Sequence, residues 1–412
     1  MRRPVATEGP RPAAGAAVGL LFFVNGASFS NWLPRIPEVR DRLGLSNAGL
    51  GAALLGGGLG GLLASLVVAR LLGRFGSRAT VLVAAVVLAG GLPLIAAVSS
   101  PLALWAVLTA LGALDVCTDM AMNAQGVMIQ TQLGRSIMQR LHAAWSLGFL
   151  AGAGIGSLAA AAKIPMGMHL VAVALTLTFT IVCVRNHLLA VDAGAPETPH
   201  PRAASARALS AGGPAQRGRV RVTVAMTVTA VGVAVLETIP NDWSAVALGD
   251  LLGARRLVGA GAFIYALCML AGRLGGDHAS DRLGAERLFE LALLVSGVGV
   301  VVVVLAPSPA VALVGFGLWG LGVSVLFPRL YELAASLPGA GAGVGLGAMA
   351  FGQRLGFMVQ PAMVGSVAGA GTLRWAIALV GGSGFVLVLT SRCSLAGRLG
   401  GPRAGRDVVP GG

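Results

Sequence analysis

Charge is what this sequence has least of. Only 11% of its 412 residues are Asp, Glu, Lys or Arg, 56% are apolar, and the mean hydropathy is +0.82. A soluble globular domain has roughly a quarter of its residues charged, so an ordinary water-soluble fold is excluded. Cysteine is nearly missing as well. Cys117, Cys183, Cys268 and Cys393 are isolated, with no CxxC and no His/Cys cluster, so neither a zinc site nor a disulfide framework is expected. There is no nucleophile elbow, P-loop or metal motif. No cofactor and no coupling to ATP are therefore expected. Aromatics make up 5% of the chain, and Trp32, Trp145, Trp243 and Trp319 suit either stacking on a ligand ring or a membrane interface.

What the chain does have is long apolar runs, each able to cross a hydrocarbon core of roughly 30 Å as a helix. About twelve are read, at 14–33, 48–72, 79–98, 101–124, 141–162, 166–187, 222–240, 256–276, 288–306, 308–330, 340–364 and 372–391. The fold class that follows is an all-α membrane protein. The first run follows Met1-Arg2-Arg3 like the apolar stretch of a signal peptide, but it continues toward Trp32 and many spans follow, so it reads as a membrane span.

The formal charge of +14 would suggest nucleic acid in a soluble protein, yet here its distribution is the informative property. With the N-terminus inside, 22 cationic residues fall on the inner side. Seven fall on the other: Arg35, Arg40, Arg42, Lys163, Arg255, Arg256 and Arg374. Cytoplasmic loops carry the Lys/Arg excess, so both termini are expected in the cytoplasm and no nucleic-acid partner is indicated. Arg354 alone lies within a span.

Residues 188–221, rich in Pro, Ala, Gly, Ser and Arg, have the composition of a flexible linker between an N-terminal half, 1–187, and a C-terminal half, 222–412. An internal repeat supports the division. GRFGSR at 73–78 aligns with DRLGAE at 281–286, matching Arg74 to Arg282 and Gly76 to Gly284 at an offset of 208, and the same offset carries SLGF at 146–149 onto RLGF at 354–357. Repeated helix bundles around a central pathway are characteristic of secondary transporters. Small-xxx-small spacing in GGGLGG at 56–61, at Gly148, Gly152 and Gly156, and at Gly352 and Gly356 points to close helix packing.

On the 6+6 arrangement, the long central loop and the short basic loops after spans 2 and 8, the sequence resembles the major facilitator superfamily. AGRLGGDHASDRLGAER at 271–287 looks like that family's charged loop motif. The resemblance implies a cytoplasmic latch made by Arg273, Asp277, Asp281 and Arg282, while the first copy has Gly73 where an acid is expected. NWLPRIPEVRDRLGLS, DVCTDMAMNAQ, RLHAAWSLG and NDWS look like a bacterial inner-membrane branch related to fucose–proton and other sugar symporters. In those relatives a span-4 acid takes part in proton coupling. Asp115 or Asp119 would take that role, whereas the family's span-1 acid has no match beyond Asn25. Span 5 lacks the Gly-Pro pair of the drug antiporters, which disfavours drug efflux without excluding export.

Within LDVCTDMAMNAQG at 114–126, Asp115, Asp119 and Asn123 lie at i, i+4 and i+8 on one helical face. An intramembrane carboxylate is costly and usually faces a bundle interior or a water cavity on a substrate or proton path. Low polarity and a nearby like charge each favour the protonated carboxyl, so one of the pair can hold a proton at neutral pH. The competing reading puts Asp119 and Asn123 at the cytoplasmic end, binding water or loop arginines. Arg354, with Gln353 and Gln360 near it, cannot shed its proton and needs acceptors. It can pair with an acid across the halves, bind an anionic substrate, or snorkel to the interface. Glu237 near Asn241 reads as a cavity acid or an interfacial cap, and Ser146 joins Asn25, Asn123, Gln353 and Gln360 as substrate-binding candidates. His142 reads as an interfacial histidine or a proton relay.

The function expected is proton-coupled or facilitative transport of a small polar solute, such as a sugar, by a monomer in the lipid bilayer of a bacterial inner membrane. The rivals are proton-driven efflux, an intramembrane enzyme and a sensor that moves nothing.

Overall fold

In a computed structural model of the protein, residues 12–133, 137–189, 214–335 and 342–399 are described, and their regular structure is helical. The first half comprises α1 Pro12–Ser30, α2 Ile36–Arg42, α3 Asn47–Ser65, α4 Val68–Gly91, α5 Leu94–Ala97, α6 Pro101–Leu133, α7 Met138–Ala161 and α8 Met166–Val184. The second comprises α9 Pro214–Val246, α10 Ala260–Leu283, α11 Ala285–Leu305, α12 Pro309–Val323, α13 Leu326–Ala335, α14 Ala342–Ala370 and α15 Leu373–Leu399. Among the described residues, nine helical stretches are long and apolar enough to cross a membrane, and the apolar parts of α10 and α15 are shorter ones. With α14, 29 residues long and carrying Arg354, twelve crossings are accounted for. Leu102, Leu158, Phe179 and Leu305 are each more than 70% exposed, the apolar outer surface a bilayer requires. The expected linker, 188–221, lies largely outside the described residues.

Two expected spans are broken. The run 48–72 ends as a helix at Ser65, and Leu66–Val67 turn the chain into α4. The start of α4 carries exposed Arg70 and Arg74 opposite buried Val68, so this segment presents its cations outward. The run 308–330 divides at Ser324–Val325, where Pro328 has no N–H to give to the Ser324 carbonyl and the Ser324 hydroxyl donates to Leu321 O at 2.6 Å.

The two halves pack by the same plan. In the first, α1 lies on α7, α3 on α6, and α4 on α6 and α8. In the second, α9 lies on α14, α10 on α12, and α11 on α12 and α15. The repeat extends to backbone conformation, since Gly76 (φ 75°, ψ 163°) and Gly284 (φ 79°, ψ 145°) adopt the same left-handed-side geometry at the offset of 208. Small residues let the helices touch. A Cβ at Gly148 would overlap the Phe23 carbonyl oxygen, and one at Gly352 would overlap that of Thr227.

The halves meet along α3–α14 and α7–α10. On α3–α14, Gly51 abuts the Pro361 carbonyl and Gly365 the Asn47 carbonyl; on α7–α10, Ser157 abuts Gly259. These contacts gather at the end that holds α2, opposite the end that holds Gly76 and Gly284.

Candidate functional site

The stripe on α6 is held from two sides. Asn25 Nδ2, from α1, donates to Asp115 Oδ1 at 2.8 Å, and Trp145 Nε1, from α7, donates to Asn25 Oδ1 at 2.8 Å. Asn25 is buried, and Trp145 stacks on Phe149 with ring centroids 5.5 Å apart, so an aromatic surface adjoins the carboxylate. One turn further on, Asn123 Nδ2 donates to Asp119 Oδ1 at 3.0 Å and to the Asp119 carbonyl at 2.9 Å. Each aspartate therefore has an amide donor. Neither has a direct cationic partner among the described residues.

Arg354 comes from α14 in the other half and is half-buried. Among the described residues it has no hydrogen-bond or ion-pair partner, but it lies near enough to act electrostatically on both Asp115 and Asp119. Tyr331, on α13, is 46% exposed and donates to Gln353 Oε1 at 3.4 Å. Its hydroxyl lies within electrostatic reach of Asp119, Glu237 and Arg354.

A second polar group spans the halves. Arg273 Nη2 donates to Glu237 Oε1 at 3.1 Å, and Arg273 Nη1 donates to Ser146 Oγ at 3.2 Å. The loop motif assigns Arg273 to a latch, but its guanidinium lies inside the bundle. The physical reason is that α10 packs on both α7 and α9, so a carboxylate within hydrogen-bonding reach takes the guanidinium. Asp281 and Arg282 are exposed at the end of α10, and the side chain of Asp277 lies outside the described residues. Asn241 does meet Glu237, though through the backbone: its Nδ2 donates to the Glu237 carbonyl at 3.2 Å, as does Tyr265 OH at 2.8 Å. His142 is exposed and packs edge-on against Phe22.

Gln360 is fully buried, away from open space. With its amide turned to match its neighbours, it donates to Asp242 Oδ2 at 2.9 Å and Thr238 Oγ1 at 3.2 Å, and accepts from Trp243 Nε1 at 3.2 Å. Asp242 was not among the sequence candidates. The signal available was the pair Asp242-Trp243, which repeats Asn31-Trp32 near the ends of the corresponding helices. Also unforeseen is a charge pair between the halves. Arg40 grips Asp250 with two guanidinium nitrogens, the second bond being 2.9 Å long, and also donates to Asn47 Oδ1 at 3.2 Å. Asp250 is presented by the π-helical turn Ala247–Leu251. Among the described residues no group of three or more His, Cys, Asp or Glu is placed to hold a metal ion.

No family model matches the chain. An uncharacterised MFS-type transporter of Yersinia pestis is 29% identical over 350 residues, covering 85% of this chain and 87% of that protein. The membrane protein MosC of Rhizobium meliloti is 27% identical over 384 residues, covering 91% and 88%. The crystal structure of the nucleoside transporter NupG superposes with a TM-score of 0.71 at 13% identity, covering 93% of this chain and 99% of that one, so the fold is shared almost from end to end.

Proposed function

We propose that this chain, a membrane transporter of the major facilitator superfamily, carries a small hydroxylated solute by alternating access and couples it to protons through Asp115 and Asp119. The observation that carries this reading is the arrangement Trp145–Asn25–Asp115, a carboxylate fixed in mid-span by a buried amide, with Arg354 of the other half acting on it. A carboxylate in such a position either holds a proton or draws a cation. When Asp115 is ionised it attracts Arg354 and favours closure of α6 on α14. When it is protonated that attraction vanishes and the halves are free to part. Proton uptake thus biases the rocking equilibrium.

Residues 1–187 and 222–412 are the two moving bodies, joined by 188–221, and the end bearing Gly76 and Gly284 is the cytoplasmic one. The Lys/Arg bias supports that orientation. The solute presents hydroxyls to Asn25, Asn123, Ser146 and Gln353 and a ring face to Trp145 and Phe149. A sugar meets this description, and so does a nucleoside, the solute for which NupG is named.

The test is the pH inside proteoliposomes challenged with sugars and nucleosides, for wild type, Asp115→Asn and Asp119→Asn. Solute-dependent acidification or alkalinisation that disappears in one variant supports symport and identifies the coupling acid. Solute flux without proton movement in all three would remove the coupling role of the stripe.

A further inference from the structure

We infer that Asp242 is a proton-binding site separate from the aspartate pair on α6, so that the second half of the transporter carries a titrating acid of its own. This goes beyond the reading above, because it holds whatever the solute is.

Asp242 is partly buried within the apolar span Val220–Leu251, and the polarity of its one partner is fixed. Trp243 Nε1 can only donate, so it takes the Gln360 amide oxygen at 3.2 Å and turns the amide nitrogen toward Asp242 Oδ2 at 2.9 Å and Thr238 Oγ1 at 3.2 Å. Thr238 gives its own hydrogen to the Ala234 carbonyl at 2.8 Å and can only accept from Gln360. Both amide hydrogens are thus committed, and Asp242 receives one neutral donor and no cation among the described residues. An asparagine at 242 would accept the same bond without the cost of a charge inside a span. The first half takes that option. Asn31, followed by Trp32 as Asp242 is by Trp243, donates to the Ala27 carbonyl at 2.7 Å and meets His169 Nε2 at 3.2 Å through its oxygen. Packing of α9 on α14 therefore does not require an acid at 242. What the acid adds is a proton that can be taken up and released. A metal cation is disfavoured by the same polarity, since Gln360 turns hydrogens and not its oxygen toward the carboxylate.

The other titratable groups on the elements packed against α9 are engaged elsewhere. Arg35, in the turn Leu33–Arg35, holds Glu38; on α2, Arg40 holds Asp41 and Asp250, and Arg42 the carbonyls of Ile95 and Ala96. On α10, Arg273 and Tyr265 bind Glu237, while Cys268 faces Gly317 of α12. Arg374 on α15 binds the carbonyls of Val304 and Ala306, and α12 carries no titratable residue. Tyr331 on α13 lies against Gln353, two turns of α14 away from Gln360. Arg354 precedes Gln360 by six residues and so lies on a different face of α14. Gln360 also joins the acid to the seam between the halves, because the carbonyl of the next residue, Pro361, abuts Gly51 of α3. A hydrogen bond to an ionised carboxylate is roughly twice as strong as one to a neutral acid. A proton taken up by Asp242 therefore loosens α9 from α14 beside that seam.

The experiment takes the full-length protein in lipid vesicles, without solute, and follows the C=O stretch of protonated carboxyls by infrared spectroscopy from about pH 5 to about pH 9, the range that buried carboxyls reach. Wild type, Asp115→Asn, Asp119→Asn, Asp242→Asn and Gln360→Leu are compared in potassium buffer, and wild type again in sodium buffer. Asp242→Asn keeps the acceptor for Gln360, so it is expected to fold and to lose one titrating band that both α6 variants retain. Gln360→Leu removes the donor that favours the ionised form, so the same band should titrate higher by about one pH unit or more, the worth of a hydrogen bond to a charged group. Thermal melts show which variants are folded, and the shift in Gln360→Leu decides the matter if Asp242→Asn is not. Bands unchanged in Asp242→Asn, or an Asp242 band that Gln360→Leu leaves in place, overturn the assignment. So does a titration that moves when sodium replaces potassium, which would make Asp242 a cation ligand. Bands lost only in the α6 variants remove the Asp242 site and leave coupling through the stripe standing. A band lost only in Asp242→Asn does the reverse.

Discussion

At Asp115 a single hydrogen bond decides what the side chain can do. Asn25 is a donor that cannot supply charge, so it orients the carboxylate without stabilising it as an ion pair would. Asp115→Asn is isosteric and removes the titratable group, so exchange of solute between equal pools is expected to continue while solute-driven proton movement is lost. Radiolabel counterflow beside a vesicle pH probe checks this, and loss of both would make Asp115 a binding or structural group. Trp145→Phe keeps the stacked ring but removes the donor to Asn25, a bond worth about 1 kcal/mol. KM is expected to rise about fivefold with kcat little changed, as initial uptake rates would show. The stripe and Asn25 were legible in the sequence because helical spacing and an intramembrane charge are local signals. Asp242 and the Arg40–Asp250 pair were not, since their partners lie more than 100 and 200 residues away and nothing in the spacing announces them. Arg273 misled for a related reason: a loop motif fixes its neighbours in sequence, whereas packing of α10 on α7 and α9 fixes its partner.

Glycines bring several helices into backbone contact. Gly148 touches the α1 backbone at Phe23, so Gly148→Val must separate α1 from α7 or fail to fold, with a cost expected above 2 kcal/mol by the usual scale of overpacking. Gly73, in contrast, has open space around its missing Cβ, and Gly73→Ala should be neutral or stabilising by up to about 1 kcal/mol. Melting temperatures in one detergent compare the two, and an equal response would argue that glycine is used here without regard to contact. Gly76 and Gly284 are a different case, because their positive φ is required by the kink inside α4 and by the turn at which α11 sets off. Gly76→Ala is expected to cost about 1 kcal/mol and Gly284→Ala about the same. That equality was readable from the aligned GRFGSR and DRLGAE segments. The break at Leu66–Val67 was not, since an apolar run looks the same whether the helix continues or turns.

At the scale of the whole molecule, four of the seven cationic residues expected on the minority side do structural work at one end of the bundle. Of the seven cationic residues expected on the minority side, Arg42 and Arg374 donate to carbonyls at the ends of α5 and α11, Arg35 pairs with Glu38, and Arg40 bridges to Asp250. The first three act within a half. Arg40–Asp250 joins the halves, at the same end as the Gly51–Pro361 and Ser157–Gly259 contacts, and so, on the alternating-access reading proposed above, acts on the equilibrium between the two access states. Asp250 is 38% exposed, which screens the pair and limits its worth to about 1 kcal/mol, or roughly a fivefold shift in that equilibrium. Asp250→Asn and Arg40→Gln should each raise labelling of a cysteine placed at Ala48, beside Gly369 in the α3–α14 seam, by an impermeant maleimide added on that side. The exchanged pair, Arg40→Asp with Asp250→Arg, should restore protection toward the wild-type level. If the exchanged pair labels as fast as either single variant, the attraction between these charges does not hold the end closed, and the glycine contacts alone must do so.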